Sequence, residues 1–359
     1  MNLNCAAVDL FCGIGGLTYG IKQSGINVVA GIDIDSTCKY AYEENNDSIF
    51  INKGIEDVKK EEILSLYPDN SVKILMGCAP CQPFSNYSLR YIKKGPKDGK
   101  WKLLYYFADL IRELQPDVIS MENVPQLIKT SVFSDFVECL ETMGYHVNWN
   151  VVNCAEYGVP QSRNRLVLLA SVFGNINMID PTHHEGTYVT VENVIANLPK
   201  IKDGETSIED PLHRASKLSK LNKERIKKSK PGGTWKDWDK SLQLPCHKKE
   251  TGRGYSSVYG RMKWEQPSPT ITTQFYGYGN GRFGHPEQDR GLTMREGAIL
   301  QSFPPDYKFI DSKHPQTNKQ IGVHIGNAVP VKLGEAIGKS IIEHLKCIEK
   351  ERIECKIVV

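Results

Sequence analysis

The stretch Ala6-Ala7-Val8-Asp9-Leu10-Phe11-Cys12-Gly13-Ile14-Gly15-Gly16 decides the fold. Its first five residues form a short apolar run with one acid, which reads as a buried strand. Glycines follow, and the spacing predicts a helix from about Leu17 to Ser24. Working outward, Val28 to Asp33 reads as a second strand and Thr37 to Asn45 as a helix. Val72 to Gly77 is a third strand, and Leu103 to Leu114 is a helix with Leu103, Phe107, Leu110, Ile111 and Leu114 on one side. Asp117 to Met121 is a strand, Phe133 to Met143 a helix, and two further strands fall near Tyr145–Asn153 and Arg165–Ser171. Strands alternating with helices at this spacing predict an α/β fold built on a doubly wound, mostly parallel sheet. After about Asp180 the periods dissolve into Gly, Pro, Asn, Lys and Tyr, which marks a second domain. Leu333, Ile337, Ile341, Leu345 and Ile348 then follow helical spacing, and that last helix is expected to pack back on the first domain.

With 359 residues the chain suits two domains, or one large domain carrying an insertion, and it can bury a sizeable core. Forty per cent hydrophobic and 24% charged residues describe an ordinary soluble protein. No run approaches the roughly 18 apolar residues of a membrane helix. Met1-Asn2-Leu3-Asn4-Cys5 has no basic stretch leading into an apolar core, so a cytoplasmic location is expected. Ten cysteines here suggest no disulfide framework. Only Cys78 and Cys81 have C-x-x-C spacing, and no second pair completes a zinc site, so no metal is expected.

The net charge of +3 hides an uneven distribution. Arg214 to Lys249 holds twelve Lys/Arg against three Asp/Glu, which leaves the remainder slightly acidic. Such a run can be a plain solvated face. Trp235, Trp238 and the turn Pro231 to Gly233 interrupt it, and that mixture fits a surface meeting phosphates and bases.

In a parallel sheet, ligands bind beyond the carboxyl ends of the strands. Phe11 to Gly16 follows the first strand, Asp33 closes the second, Cys78-Ala79-Pro80-Cys81-Gln82-Pro83 follows the third, and Glu122-Asn123-Val124 ends the fourth. The glycine turn is neither G-x-G-x-x-G nor a P-loop, but it lets a ligand approach backbone at a helix amino terminus. Asp33, about 20 positions on, is placed to bond ribose hydroxyls. The alternative is a tight turn without a ligand. Cys81 sits in a loop, not an apolar run, which suits a reactive thiol better than an inert one. Glu122 at a buried strand end must be paired or serve as an acid. Arg163 and Arg165, taken alone, read as a salt-bridge face.

These residues carry a resemblance to the DNA cytosine-C5 methyltransferases over nearly the whole chain. The matches run in order: Asp9-Leu10-Phe11-x-Gly13-x-Gly15-Gly16, Pro80-Cys81-Gln82, Glu122-Asn123-Val124, Gln161-x-Arg163-x-Arg165, Arg290-x-Leu292-Thr293-x-Arg295-Glu296, Leu300 to Pro304, and Ile325 to Pro330. The resemblance implies a catalytic domain at 1–180 plus 320–359, a smaller irregular target-recognition domain at 181–290, and a connector at 291–319. It implies S-adenosyl-L-methionine as cofactor, leaving as S-adenosyl-L-homocysteine, held by Phe11, Gly13, Ile14, Gly15, Gly16, Asp33, Ile34, Ile55, Leu103, Asn327 and Val329.

By the same resemblance Cys81 is the nucleophile and Glu122 contacts the pyrimidine N3 and exocyclic amine. Arg163 binds the cytosine carbonyl, with Arg165 supporting the pocket. Gln82, Ser85, Arg90, Lys93, Arg253 and Tyr276 would touch duplex DNA, the loop from Phe84 to Lys100 acting as a lid. Tyr276 to Gly281 is either a flexible part of the reader or an exposed turn. The expected setting is prokaryotic restriction–modification, as a monomer, with pairing to a restriction endonuclease. One departure stands out: Gly54-Ile55 replaces the Asp-Ile of many family members at the adenine edge, leaving Glu56 or Asp57 to take the adenine amine. The competing readings are an RNA cytosine-C5 methyltransferase, a catalytically silent DNA-binding regulator of the same fold and, further off, a nicotinamide oxidoreductase.

Overall fold

A computed structural model of the chain describes residues 3–80, 102–249, 254 and 256–357. The chain divides into two compact units, Met1–Tyr157 with Asn164–Thr182 and Val329–Val359, and Gly158–Arg163 with His183–Ala328.

Among the described residues of the first unit, seven strands form one sheet. They are β1 Cys5–Leu10, β2 Asn27–Asp33, β3 Ile49–Asn52, β4 Val72–Gly77, β5 Val118–Asn123, β6 His146–Asn153 and β8 Asn164–Ser171, in the order β3-β2-β1-β4-β5-β8-β6. Every pairing from β3 to β5 is parallel, while β8 runs antiparallel to both neighbours. All six residues of β1 and of β5 are buried, as strands covered on both faces must be. Leu10, Leu75, Ile119, Met121 and Leu168 share one core with Phe107 and Ile111 of α4 (Lys102–Leu114) and with Phe133 and Phe136 of α5 (Ser131–Thr142).

The expected mostly parallel α/β sheet is present. β3 is an addition, since four residues ending in Asn52 give too short a period to read. The carboxyl-terminal helix spans Val331–Ile357 and packs on α1 (Gly16–Gln23), with Leu333, Ile337, Ile341 and Leu345 buried. Gly20 permits this close approach, because a Cβ there would run into the Val331 carbonyl.

Register brings the strand ends together. Leu10 pairs with Ile32 and with Gly77, and Gly77 with Met121. The reversed β8 begins at this same rim, where Asn123 pairs with Leu166.

The second unit is largely irregular, with a two-stranded parallel pair, β7 (Gln161–Ser162) and β9 (Ser268–Pro269), and short helices including α6 (Val191–Ile195) and α7 (Lys220–Lys228). Its boundaries differ from expectation. Residues 158–163 belong to it, as do 291–319, expected as a connector, and 320–328. Buried polar bonds are the reason. Arg290 grips Glu296 through its two terminal guanidinium nitrogens at 2.8 and 2.7 Å, and Gln301 donates to Ile325 O at 2.8 Å. Gln161 donates to Gln301 Oε1 at 2.9 Å and to Leu300 O at 3.1 Å.

Candidate active site

The turn after β1 is held by its own backbone and by Asp33. Gly15 N donates to Cys12 O at 2.9 Å, and Cys12 N to Ile32 O at 3.1 Å. Phe11, Gly13 and Gly15 all have positive φ (58°, 51° and 84°). At Gly15 glycine is required twice over, because a Cβ there would also overlap the Asn46 side chain. A Cβ on Gly13 would meet nothing within 4 Å, so that side of the turn is open to a ligand.

Asp33 accepts from Gly13 N at 2.8 Å through Oδ2 and from Asp35 N at 2.9 Å through Oδ1. Next to it Ile34 is 71% exposed, a large apolar side chain at the surface, while Ile55 is buried nearby in sequence order after β3. An open glycine backbone at a helix amino terminus, an acceptor pair and an apolar platform fit a nucleoside-containing cofactor. Ile14 is buried, and Leu103 is half-buried at the start of α4. Val329 is buried in the first unit, and Asn327 is exposed at the end of the helix Asn318–Asn327 of the second.

Behind the turn, Asp9 is fully buried. Its Oδ2 accepts from Thr18 Oγ1 at 2.7 Å. Burial, with Asp33 adding to it against the Thr18 hydrogen bond, pushes the Asp9 carboxyl up to about 7.

The ends of β4, β5 and β8 bring three functional groups together. Glu122, 3% exposed, accepts from Cys78 Sγ at 2.8 Å through Oε2, and Arg165 Nε lies 2.8 Å from its Oε1. Asn123 donates to Ala79 O at 3.1 Å and so fixes the chain two residues before Cys81. Cys78 and Asn123 had no role in the sequence reading. Their signal was position alone, at the same strand ends as Cys81 and Glu122.

The two arginines of the Gln161–Arg165 stretch take different places. Arg165 stands beside Glu122, because the reversed β8 starts at the shared rim. Arg163 is buried in the second unit, where it donates to Ile271 O at 2.8 Å and Gly326 O at 3.1 Å. Cys81, Gln82, Ser85, Arg90, Lys93, the rest of the expected lid up to Lys100, and Arg253 lie outside the described residues.

The basic segment also corrects the sequence reading. Trp235 and Trp238 are buried with Leu242, and Trp235 stacks on His247 at 4.2 Å between centroids. Arg225 turns inward, donating to Leu242 O at 2.9 Å and lying over the Tyr259 ring. Arg214, Lys217, Lys220, Lys227, Lys228, Lys230, Lys236 and Lys240 are exposed. The tryptophans therefore build a small core, and these lysines stay at the surface. Tyr276 is half-buried, its ring lying where a side chain at Gly322 would stand, and Tyr278 is buried and bonded to Ser229 at 2.8 Å. Tyr276 to Gly281 is thus a packed turn.

A family model described as C-5 cytosine-specific DNA methylase matches residues 5–343. The chain is 51% identical over 352 residues to the Type II methylase M.HgiDII of Herpetosiphon aurantiacus, covering 97% of this chain and 98% of that protein. It is 31% identical over 358 residues to the Type II methyltransferase M.Eco47II of Escherichia coli, covering 96% and 80%. A solved, prophage-encoded Escherichia coli protein assigned as a DNA modification methyltransferase superposes with a TM-score of 0.71 over 95% of this chain and 99% of that one. At 21% identity that likeness is one of fold.

Proposed function

The chain belongs to the C-5 cytosine-specific DNA methylase family, and from that premise we propose that Cys81 is the nucleophile for methylation at carbon 5 of a cytosine flipped out of duplex DNA. The observation that carries this reading is the buried Glu122 carboxylate held between Cys78 and Arg165. Phe11, Gly13, Gly15, Gly16, Asp33, Ile34 and Ile55 would hold S-adenosyl-L-methionine, which supplies an electrophilic methyl on a sulfonium.

Carbon 5 is a poor nucleophile while the pyrimidine is aromatic. Addition of the Cys81 thiolate to carbon 6, with a proton carried on the Glu122 carboxyl passed to N3, would give a neutral enamine whose carbon 5 takes the methyl group. Arg165, with guanidinium donors beyond the Nε that faces Glu122, is the arginine suited to the cytosine carbonyl. Arg163, committed to two backbone carbonyls, supports the second unit instead. A base (water is sufficient) then removes the carbon 5 proton, and the Cys81–carbon 6 bond breaks. The second unit serves as the target-recognition region, with its exposed lysines on phosphates.

The setting is a restriction–modification system in the prokaryotic cytoplasm, acting as a monomer beside a cognate endonuclease. No helix among the described residues is long and apolar enough to cross a membrane.

Cys81→Ser is expected to lose at least about 10³-fold in methyl transfer and to form no covalent complex on 5-fluorocytosine DNA. Labelled-methyl incorporation and denaturing gels measure both. Normal transfer by the variant would sink the reading.

A further inference from the structure

Resting on the reading that Glu122 is the acid at the pyrimidine ring, we infer that Cys78 is a positioning residue for it. The Cys78 thiol holds the Glu122 carboxyl in the orientation that meets the base. It stays a thiol while Cys81 works as a thiolate.

The backbone places Cys78 level with Glu122 before any side chain is considered. Gly77 ends β4 and pairs in parallel register with Met121 of β5, so the next residues along, Cys78 and Glu122, come side by side. Cys78 N donates to Leu10 O at 3.4 Å, which ties the chain to β1 just past the end of β4. On the other side Asn123 Nδ2 donates to Ala79 O at 3.1 Å. The segment is thus bound to β1 and to β5, and a cysteine has only χ1 with which to place its sulfur.

Glu122 is a longer side chain with several torsions, and its buried carboxyl must present one edge to an arriving base. Arg165 Nε, from β8, stands 2.8 Å from Oε1, and the Cys78 thiol donates to Oε2 at 2.8 Å. One contact leaves a carboxyl free to turn about that point. A second contact, on the other oxygen, fixes its plane.

Sulfur suits the second place. An S–H is a weak donor and sulfur a weak acceptor, so the contact persists whether Oε2 is ionised or carries the proton bound for N3. An ammonium there could only donate and would oppose that proton. A thiolate would offer no donor and would add a like charge, so the hydrogen bond requires the protonated sulfur. The C-x-x-C spacing therefore carries two thiols in opposite states, Cys78 to orient the acid and Cys81 to attack.

The test is single-turnover methyl transfer to unmethylated plasmid DNA by the full chain. Cys78→Ala is expected to slow transfer by about tenfold, as lost orientation at a reacting group does, with S-adenosyl-L-homocysteine binding unchanged. Cys78→Ser keeps a group that donates and accepts, and should stay within about threefold of wild type. In a Glu122→Ala chain, adding Cys78→Ala should cost nothing further, because the thiol then has no carboxyl to hold. A normal rate in Cys78→Ala, a Cys78→Ser chain as slow as Cys78→Ala, or a full additional loss in the double variant overturns the inference and leaves Glu122 as the acid. A Glu122→Ala chain that transfers at the wild-type rate overturns the reading of Glu122, and this inference with it.

Discussion

The carboxyl rim of the seven-stranded sheet and the 214–249 segment of the second unit both set charges beside apolar groups, and they use them in opposite ways. At the rim, Glu122, Arg165 and Cys78 point at one another across the ends of three strands. In the basic segment most lysines are exposed, while Trp235, Trp238 and Leu242 are buried together. A rim converges because register forces neighbouring strand ends together. Short helices and turns impose no such register, so their charges spread and their large apolar side chains sink. Charge beside an aromatic marks a site only where a scaffold fixes both.

The two arginines of one short motif fall on either side of this contrast and give its sharpest test. Arg165→Lys keeps a cation near Glu122 but loses the planar fork, and is expected to cost on the order of 10²-fold in kcat with little change in Tm. Arg163→Lys cannot span Ile271 O and Gly326 O, and leaving a buried carbonyl unpaired costs about 1–3 kcal/mol of stability. Thermal melts with single-turnover methylation separate the two. If Arg163→Lys loses turnover at full stability, the placement of the arginines as described is wrong for the reaction.

A comparable loss, read as stability alone, is expected in the second unit. Trp235→Ala should cost about 3 kcal/mol or more, as removal of a buried aromatic does. Urea unfolding reads this directly, alongside DNA affinity at temperatures where the variant is folded. Weakened DNA binding at unchanged stability would return Trp235 to the surface role that its neighbours in sequence suggest.

The same physics decides how much was legible beforehand. β1, β2, β4 and β5 are apolar runs that end on polar residues, so their elements and the gathering of Phe11–Gly16, Asp33, Cys78 and Glu122 at one rim could be read from pattern. The reversal of β8 could not, because an apolar strand carries no mark of its direction. The reversal puts Arg165 at the rim, while Arg163 lies before the strand, in the segment that belongs to the second unit. Nor could Trp235 and Trp238 be placed, since a segment without a period gives no inside and outside. The reach of the second unit to Ala328 depended on pairs distant in sequence, such as Gln161 with Gln301 across 140 residues.

The finest test uses one buried titratable group from each unit as a reporter. Asp9, held up at about 7 chiefly by burial, keeps its proton in the folded chain while the unfolded chain loses it near 3.8. Its contribution to stability is therefore complete below about pH 4 and is lost as pH rises toward about 7. His285 behaves in the opposite sense. Burial, with Arg290 and Arg261 adding to it against Glu296, lowers it from 6.5 to about 4, and its Nδ1 accepts from Glu287 N and Gln288 N at 3.1 and 2.9 Å. Its contribution is complete above pH 6.5 and is lost as pH falls toward about 4. Each proton can tilt stability by up to about 1.4 kcal/mol per pH unit inside its window. Asp9→Asn should then gain on wild type as pH rises from 5 to 6.5, and His285→Asn, which keeps an acceptor for the two N–H groups, should gain as pH falls over the same range. Urea midpoints at the two pH values give both slopes. Slopes of the same sign would mean that the two units do not hold their buried ionisable groups in the contrasting ways described, and burial would have to yield to some other cause in one of them.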